Sequence, residues 1–215
     1  MLLKILIGVA GVLVLFVAVA ATRPSAYHVE RKLAVAAPAD LVFGVLNDLH
    51  QFAGVLVLFG SPFEADPSMQ KTFEGPAAGV GQSYAWSGKE AGQGKMTIEE
   101  SVPGQKVGVK LQIVKPMAST ATYALALAGT PTGSLVTWSM DGNHNFIGKA
   151  FGMFMDMDKM LGNDIEKGLA QLKTVTEGKQ VEITAGAAAH PDAAEVAAEE
   201  AAKNAAATPD KGTKE

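Results

Sequence analysis

The pattern of apolar and polar positions divides the chain into three parts. Residues 5–21 are an uninterrupted run of apolar residues and glycines with a basic residue close to each end. Between residues 25 and 178 the apolar positions recur with the periods of strands and helices, and after residue 178 alanine dominates. The pattern predicts an apolar helix within residues 1–24, one folded domain over residues 25–178 and a disordered, Ala-rich tail over residues 179–215.

Six segments of the middle part alternate between apolar and polar residues, as half-buried strands do. The first covers residues 27–35, and the other five lie between residues 82 and 140, separated by short turns rich in glycine and proline. Connections this short make neighbouring strands antiparallel. We therefore expect one curved, meandering sheet of about six to seven strands.

Segments with helical spacing stand before and after the later strands. Pro38 and Asp40 mark a helix start, and residues 41–49 supply a wide apolar face. Residues 146–175 carry apolar side chains three and four positions apart, which predicts one continuous helix of about 45 Å that crosses the sheet. Its glycines favour a close approach of the helix backbone to the sheet, and a gap left for a guest molecule is the alternative. Residues 52–67 show no clear period and predict a packed loop or a broken helix.

The apolar run near the start of the chain is a candidate membrane anchor. Residues 2–22 are just long enough as a helix to cross a hydrocarbon core of about 30 Å. The alternative is a secretory signal peptide, because Ala18, Val19 and Ala20 fit the small-x-small cleavage pattern. Basic residues on the two sides nearly balance, so the side of the membrane on which the domain lies stays undetermined.

Composition and charge narrow the classes of function. The 215 residues include 18 Lys and Arg, 22 Asp and Glu and no Cys. The net charge of −4 provides no basic surface for phosphates, so we expect no nucleic-acid partner. The lack of cysteine excludes disulfides, thiolate metal sites and cysteine nucleophiles, and the four scattered histidines match no metal motif. We expect neither a metal nor a cofactor.

Four segments carry a resemblance to a known family: residues 29–49, 63–86, 136–142 (VTWSMDG) and 153–173. In these segments and in the order of its elements, the chain resembles the SRPBCC (START-like, polyketide cyclase/dehydrase-like) superfamily, and within it the membrane-anchored bacterial members. The resemblance implies an α+β helix-grip fold, a curved antiparallel sheet wrapped around a long C-terminal helix. It also implies a single-pass protein of the bacterial inner membrane with a cavity for an apolar ligand.

Inward-pointing apolar residues of the predicted strands and of the last helix are the candidates for lining that cavity. They are Tyr84, Trp86, Met96, Leu111, Tyr123, Trp138, Met140, Phe151, Phe154, Met157 and Leu161. Each of them is equally well explained as an ordinary core residue. Arg31 has the same strand parity as the inward residue Val29. If it enters the cavity, its charge needs Glu99, Glu100 or a polar group of the ligand as a partner. The alternative is that Arg31 lies exposed or in a structural ion pair.

Catalytic residues are not clearly marked in the sequence. Asp48, His50 and His144 are the candidates for acid–base chemistry near the expected mouth, although turn and helix-end roles explain Asp48 and His144 better. One function that fits is a membrane-tethered binding module for a lipid or another apolar small molecule. The alternatives are a cyclase/dehydrase-like enzyme acting on an apolar substrate and a non-catalytic domain that binds a protein partner.

Overall fold

Five α-helices and nine strands make up the computed structural model, which describes residues 1–58, 61–154 and 156–189. The helices are α1 (Leu2–Thr22), α2 (Ala39–Leu46), α3 (Leu49–Phe52), α4 (Phe146–Phe151) and α5 (Met157–Ala189). The strands are β1 (Ala26–Val35), β2 (Val57–Leu58), β3 (Ser61–Pro62), β4 (Gln70–Glu74), β5 (Ser83–Ser87), β6 (Gln93–Val102), β7 (Lys106–Lys115), β8 (Ser119–Thr130) and β9 (Gly133–Asn143).

The sheet contains seven antiparallel strands in the order β1-β9-β8-β7-β6-β5-β4, which confirms the predicted meander. Strand β1 departs from simple chain order, because it pairs with the last strand and sets Val29 opposite Met140. A register shift between Ile98 and Glu100 interrupts the pairing of β6 with β7, and irregularities of this kind increase the local twist of a sheet. The large inward side chains of the strands are buried under the helices.

Strand β4 has no counterpart among the predicted strands. It lies at the edge of the sheet, and of its five residues only Phe73 is half-buried, so the segment shows no alternation. The described residues between 52 and 67 form a 3-10 turn (Ala53–Val55), the short β2–β3 pair and a second 3-10 turn (Phe63–Ala65), which is closer to the predicted packed loop than to a broken helix. Phe63 in this region is buried in the core.

The predicted single helix over residues 146–175 is wrong, because the structure contains two helices there. Helix α4 ends at Phe151 with Gly152 as its C-cap. Asp156 stands before α5 and accepts a hydrogen bond from the backbone N–H of Lys159. A glycine at a helix end and an aspartate at a helix start are ordinary boundary residues. The regular apolar spacing continues through the break and conceals it in the sequence.

Helix α5 also extends beyond the predicted start of the tail. The chain divides into two units, Met1–Thr176 and a second unit that begins at Glu177, whose described residues are helical to Ala189. Alanine has the highest helix propensity of all residues, which favours this extension. Residues 190–215 of the predicted tail lie outside the described part of the chain.

Close approach between α5 and the sheet explains two of the helix glycines. A Cβ atom at Gly168 would lie 2.9 Å from Cζ3 of Trp138, and one at Gly162 would overlap the guanidinium of Arg31. Neither site has room for a methyl group. Ile165, Leu169 and Leu172 on the same helix are buried in the core.

Helix α1 is exposed along most of its length. The segment Leu3–Thr22 is long and apolar enough to cross a membrane, and within this segment Ala20 is buried whereas most of the other side chains are exposed. Because so little of α1 is buried, it is not a core helix of the domain. Membrane anchor and signal peptide are the interpretations that remain.

Candidate functional site

A cavity of about 340 Å³ lies between the sheet and the first turns of α5. This volume is at the lower end of the range of about 300–1,000 Å³ that small-molecule pockets occupy. Buried residues from both layers close the inner end of the cavity, among them Trp138 and Ile165. Exposed residues, among them Met117 and Asn143, stand at the other end. The exposed end is the mouth.

Several residues predicted from the sequence to line the cavity lie together on three neighbouring strands and on α5. Six of them line the cavity: Leu111, Tyr123, Trp138, Met140, Met157 and Leu161. Strand alternation places the first four on the inner face of β7, β8 and β9, and helical spacing places the last two on one side of α5. Their role in holding a ligand remains a prediction.

Polar groups gather around the mouth. His144 lines the cavity and its ring stacks on Tyr27, with the ring centroids 4.5 Å apart. The backbone N–H of His144 donates to the carbonyl oxygen of Ser25, which holds the end of β9 against the start of β1. Asn143 and Asp164 also line the cavity. A ligand in the cavity therefore meets apolar walls at the inner end and hydrogen-bonding groups at the mouth.

Partial burial determines the protonation states of His144 and Tyr27 at the mouth. Burial lowers the pKa of His144, so the imidazole is neutral at pH 7. Burial, assisted by the charge of Asp141, raises the pKa of the Tyr27 hydroxyl, which stays protonated. Both side chains thus act as neutral hydrogen-bonding groups.

Several solved structures resemble the chain in fold, whereas no protein-family model and no curated protein sequence matches it. Norcoclaurine synthase from Thalictrum flavum, in complex with a transition-state analogue, gives a TM-score of 0.53 at 11% identity, covering 74% of this chain and 99% of its own. The di-domain ARO/CYC StfQ from the steffimycin biosynthetic pathway gives 0.52 at 12% identity, covering 73% and 52%. A Chromobacterium violaceum protein gives 0.50 at 15% identity, covering 70% and 96%. These structures share the helix-grip fold of this chain, an antiparallel sheet covered by a long C-terminal helix.

The helix-grip cavity does not extend under the whole sheet. Tyr84, Trp86 and Met96 lie in the core beneath β5 and β6, where the remaining void is only about 10 Å³. Phe63 fills this region, because its ring packs edge-on against Tyr84 and Trp86 at centroid distances of 5.9 and 4.8 Å. The structure therefore places these three candidates in a packed part of the core beside the cavity, and they do not line the cavity.

Two further candidates come from the break between the last helices. Phe154 is 79% exposed and stacks on Phe16 of α1, with centroids 6.0 Å apart, so it does not line the cavity. The side chain of Phe151 lies outside the described part of the structure. The predicted continuous helix would have turned Phe154 toward the sheet, and the break after Gly152 explains why it points elsewhere.

Arg31 forms a structural link between the two layers. Its Nε donates to Glu166 at 2.8 Å and its Nη2 to Asp158 at 3.0 Å, which ties β1 to α5. The expected partners Glu99 and Glu100 are wrong: they lie on β6, which three other strands separate from β1, and pair with Lys110 and Lys106. The partners of Arg31 come from a helix whose position only the tertiary structure defines.

Asp48 and His50 form a cluster apart from the residues that line the cavity. Asp48 caps α3, accepting from the backbone N–H of His50 at 2.9 Å and from Nδ1 of the same residue at 2.8 Å. Gln82, which is buried, donates to Asp48 at 3.1 Å and accepts from the backbone N–H of Leu49 at 2.7 Å. The ring of His50 also stacks on Phe73. The arrangement is that of a helix start held to the sheet.

Tyr27 and Asp164 are two cavity-lining residues that the sequence candidates did not include. Tyr27 shares the inward parity of Val29, and Asp164 follows Leu161 by three positions on α5. Both positions were therefore accessible from periodicity. Asn143, the last residue of β9, and Asn145, which caps α4, carried no such signal, because the strand pattern stops there.

Proposed function

We propose that this chain is a membrane-tethered module that binds a lipid or another apolar small molecule in the helix-grip cavity. The cavity of about 340 Å³ between sheet and helix, lined mainly by apolar side chains, carries the proposal. Methionines at 140, 157 and 160 contribute flexible, polarizable surface to its walls. The neighbours of the same fold include a norcoclaurine synthase in complex with a transition-state analogue and a protein of the steffimycin biosynthetic pathway, which is compatible with this use of the fold.

The distribution of polar groups favours an amphipathic ligand. Its apolar part would lie among Leu111, Tyr123 and Leu161, and its polar end would meet His144 and Tyr27 at the mouth. Because His144 and Tyr27 are neutral at pH 7, hydrogen bonding to a neutral or weakly polar end group suits these two side chains best. Burial of an unpaired ligand charge at this place would be costly.

The tether in this proposal is α1. It ends at Thr22, and β1 begins at Ala26, so only three residues separate a helix of membrane-spanning length from the binding domain. A domain held this closely to a bilayer would find apolar ligands at high local concentration.

Native mass spectrometry of the full chain, extracted from membranes, tests the proposal. We expect the wild type to carry a bound apolar molecule, and Leu161→Trp to carry much less, because the larger ring occupies cavity volume. Thr174→Trp is the matched control, since Thr174 lies exposed on the same helix and should leave occupancy unchanged. A wild-type protein that stays empty after incubation with a membrane lipid extract would contradict the proposal.

An enzyme is the second candidate function, and one observation favours it. His144 lines the cavity and is neutral at pH 7, as a general base must be. Asp48 and His50 do not line the cavity, so they do not strengthen this alternative. Turnover of a bound molecule by the wild type that disappears in His144→Ala, with occupancy retained, would favour the enzyme over the carrier.

A further inference from the structure

Exposed apolar side chains border the mouth of the cavity. Met117 in the β7–β8 turn, Phe146 and Ile147 on α4, and Phe154 after α4 are between 40% and 79% exposed. We call these four residues the rim. Met117 itself lines the cavity, and so does Gly148, which belongs to the same short helix as Phe146 and Ile147. Large apolar side chains that stay exposed on segments lining a cavity indicate an interaction surface.

The start of the domain places the mouth next to the end of α1. Ala26, the first residue of β1, pairs with Asn143, and the carbonyl oxygen of Ser25 accepts from the backbone N–H of His144 at 2.7 Å. Asn143 and His144 both line the cavity. Three residues span at most about 10 Å, so the end of α1 cannot lie far from the mouth.

A second contact joins the rim to α1 along its side. Phe154 stacks on Phe16, and Phe16 lies six residues before Thr22, which corresponds to about 9 Å along a helix. Ala20, between these two positions, is fully buried. When α1 crosses a bilayer, Phe154 is therefore held at the depth of the last turns of the membrane helix, not in bulk water.

Basic residues accompany the apolar rim. Lys115 precedes the turn that carries Met117, Lys149 follows Ile147 by two positions on α4, and Arg23 ends α1. Apolar side chains with neighbouring lysine and arginine residues are typical of surfaces that enter the headgroup region of a membrane.

We propose that the rim enters the interfacial layer of the bilayer that holds α1, so that the mouth of the cavity opens onto the membrane surface. This inference rests on the proposed function, because it takes α1 as the tether and an apolar molecule as the ligand. It specifies the ligand further as a component of that bilayer, which passes between membrane and cavity without crossing bulk water.

Site-specific fluorescence tests the inference, since the chain has no cysteine of its own and any introduced one is unique. Met117→Cys and Ile147→Cys, each labelled with a polarity-sensitive dye, are reconstituted as full chains in vesicles of phosphatidylcholine and phosphatidylglycerol in equal parts. We expect a blue shift of the emission relative to the urea-unfolded chain and quenching by lipids that carry a quencher below the headgroup. The experiment measures the depth of each label in the bilayer.

Val80→Cys is the matched control. Val80 is an exposed apolar residue in the β4–β5 turn, at the end of the sheet opposite the mouth. Its label should remain unquenched. Labels at 117 and 147 that stay water-exposed, or a Val80 label that is quenched as strongly as they are, would overturn the inference. Native mass spectrometry of the same proteins separates the two proposals. If the protein carries lipid but the labels at 117 and 147 are not quenched, only the membrane-facing mouth is refuted. If these labels are quenched but the protein carries no lipid, only the binding function is refuted.

Discussion

Asp48 holds the start of α3 through a set of hydrogen bonds. Its oxygens accept from the backbone N–H of His50 and from the side chains of His50, Gln51 and Gln82. Partial burial opposes ionisation of this carboxyl, but the hydrogen bonds outweigh burial and lower its pKa to about 2. Because an aspartate in an unfolded chain has a pKa of about 3.9, the folded state favours the ionised form.

We expect Asp48→Asn to reduce the free energy of unfolding at pH 7 by about 1–2 kcal/mol, since Asp48 keeps some contact with solvent. The contribution of the carboxylate is fully present above a pH of about 4 and is lost as the pH falls through about 2. Urea unfolding of both proteins across this range measures the difference. A difference that does not shrink in acid would show that ionised Asp48 does not stabilise the fold.

The candidates for the cavity lining show that periodicity predicts whether a single side chain points inward. Alternation identified Leu111, Tyr123 and Trp86 alike as inward-pointing, and all three are buried. Whether an inward residue borders empty space or packed atoms depends on what other segments bring against it. Phe63 fills the space beside Trp86, and it comes from a segment with no period.

Helix α5 shows, for a whole element, which features the apolar spacing predicts and which it does not. Its apolar spacing predicted a helix that covers the sheet, and Ile165, Leu169 and Leu172 confirm the buried face. The break before Met157 was not predicted, because Gly152 and Asp156 interrupt the backbone without interrupting the apolar spacing. Edge strand β4 was missed for the opposite reason, since an exposed strand needs no alternation.

Two glycines of α5 give opposite predictions for the same substitution. Gly168→Ala should reduce the free energy of unfolding by about 1–3 kcal/mol, because the new methyl group would lie 2.9 Å from the buried ring of Trp138. Gly178→Ala should raise it by up to about 1 kcal/mol, because nothing lies within 4 Å and alanine is the better helix former.

Thermal and urea denaturation of the two variants measure this contrast. Equal stabilisation by both substitutions would mean that α5 does not approach the sheet as closely at Gly168 as the structure shows. The pair also controls for helix propensity, because both exchanges are the same and both positions belong to α5.

At the scale of the whole molecule, Arg31 joins the two layers of the fold. It reaches from β1 to Asp158 and Glu166, which lie two turns apart on α5. The first turns of α5 also form one wall of the cavity, through Met157 and Leu161. The ion pairs of Arg31 therefore stabilise the cavity wall as well as the contact between sheet and helix.

We expect Arg31→Met to accelerate amide hydrogen exchange in the first turns of α5, because Asp158 and Glu166 lose their common partner. Lys32→Met is the matched control, since Lys32 pairs with Glu30 on the same strand and has an exposed side chain. Exchange mass spectrometry on peptides that cover residues 157–169 reports the difference. Unchanged exchange in Arg31→Met would show that packing alone holds this part of the helix.

Periodicity and composition determined the parts of this protein that depend on local interactions. An unbroken apolar run specifies α1, and alternation with glycine and proline turns specifies an antiparallel sheet, because side-chain direction follows backbone geometry residue by residue. The pairing of β1 with β9, the partners of Arg31, the boundary between cavity and packed core, and the position of the mouth beside the end of α1 were decided by tertiary structure. Each of these joins residues far apart in the chain, and their contacts depend on how complete elements pack against one another.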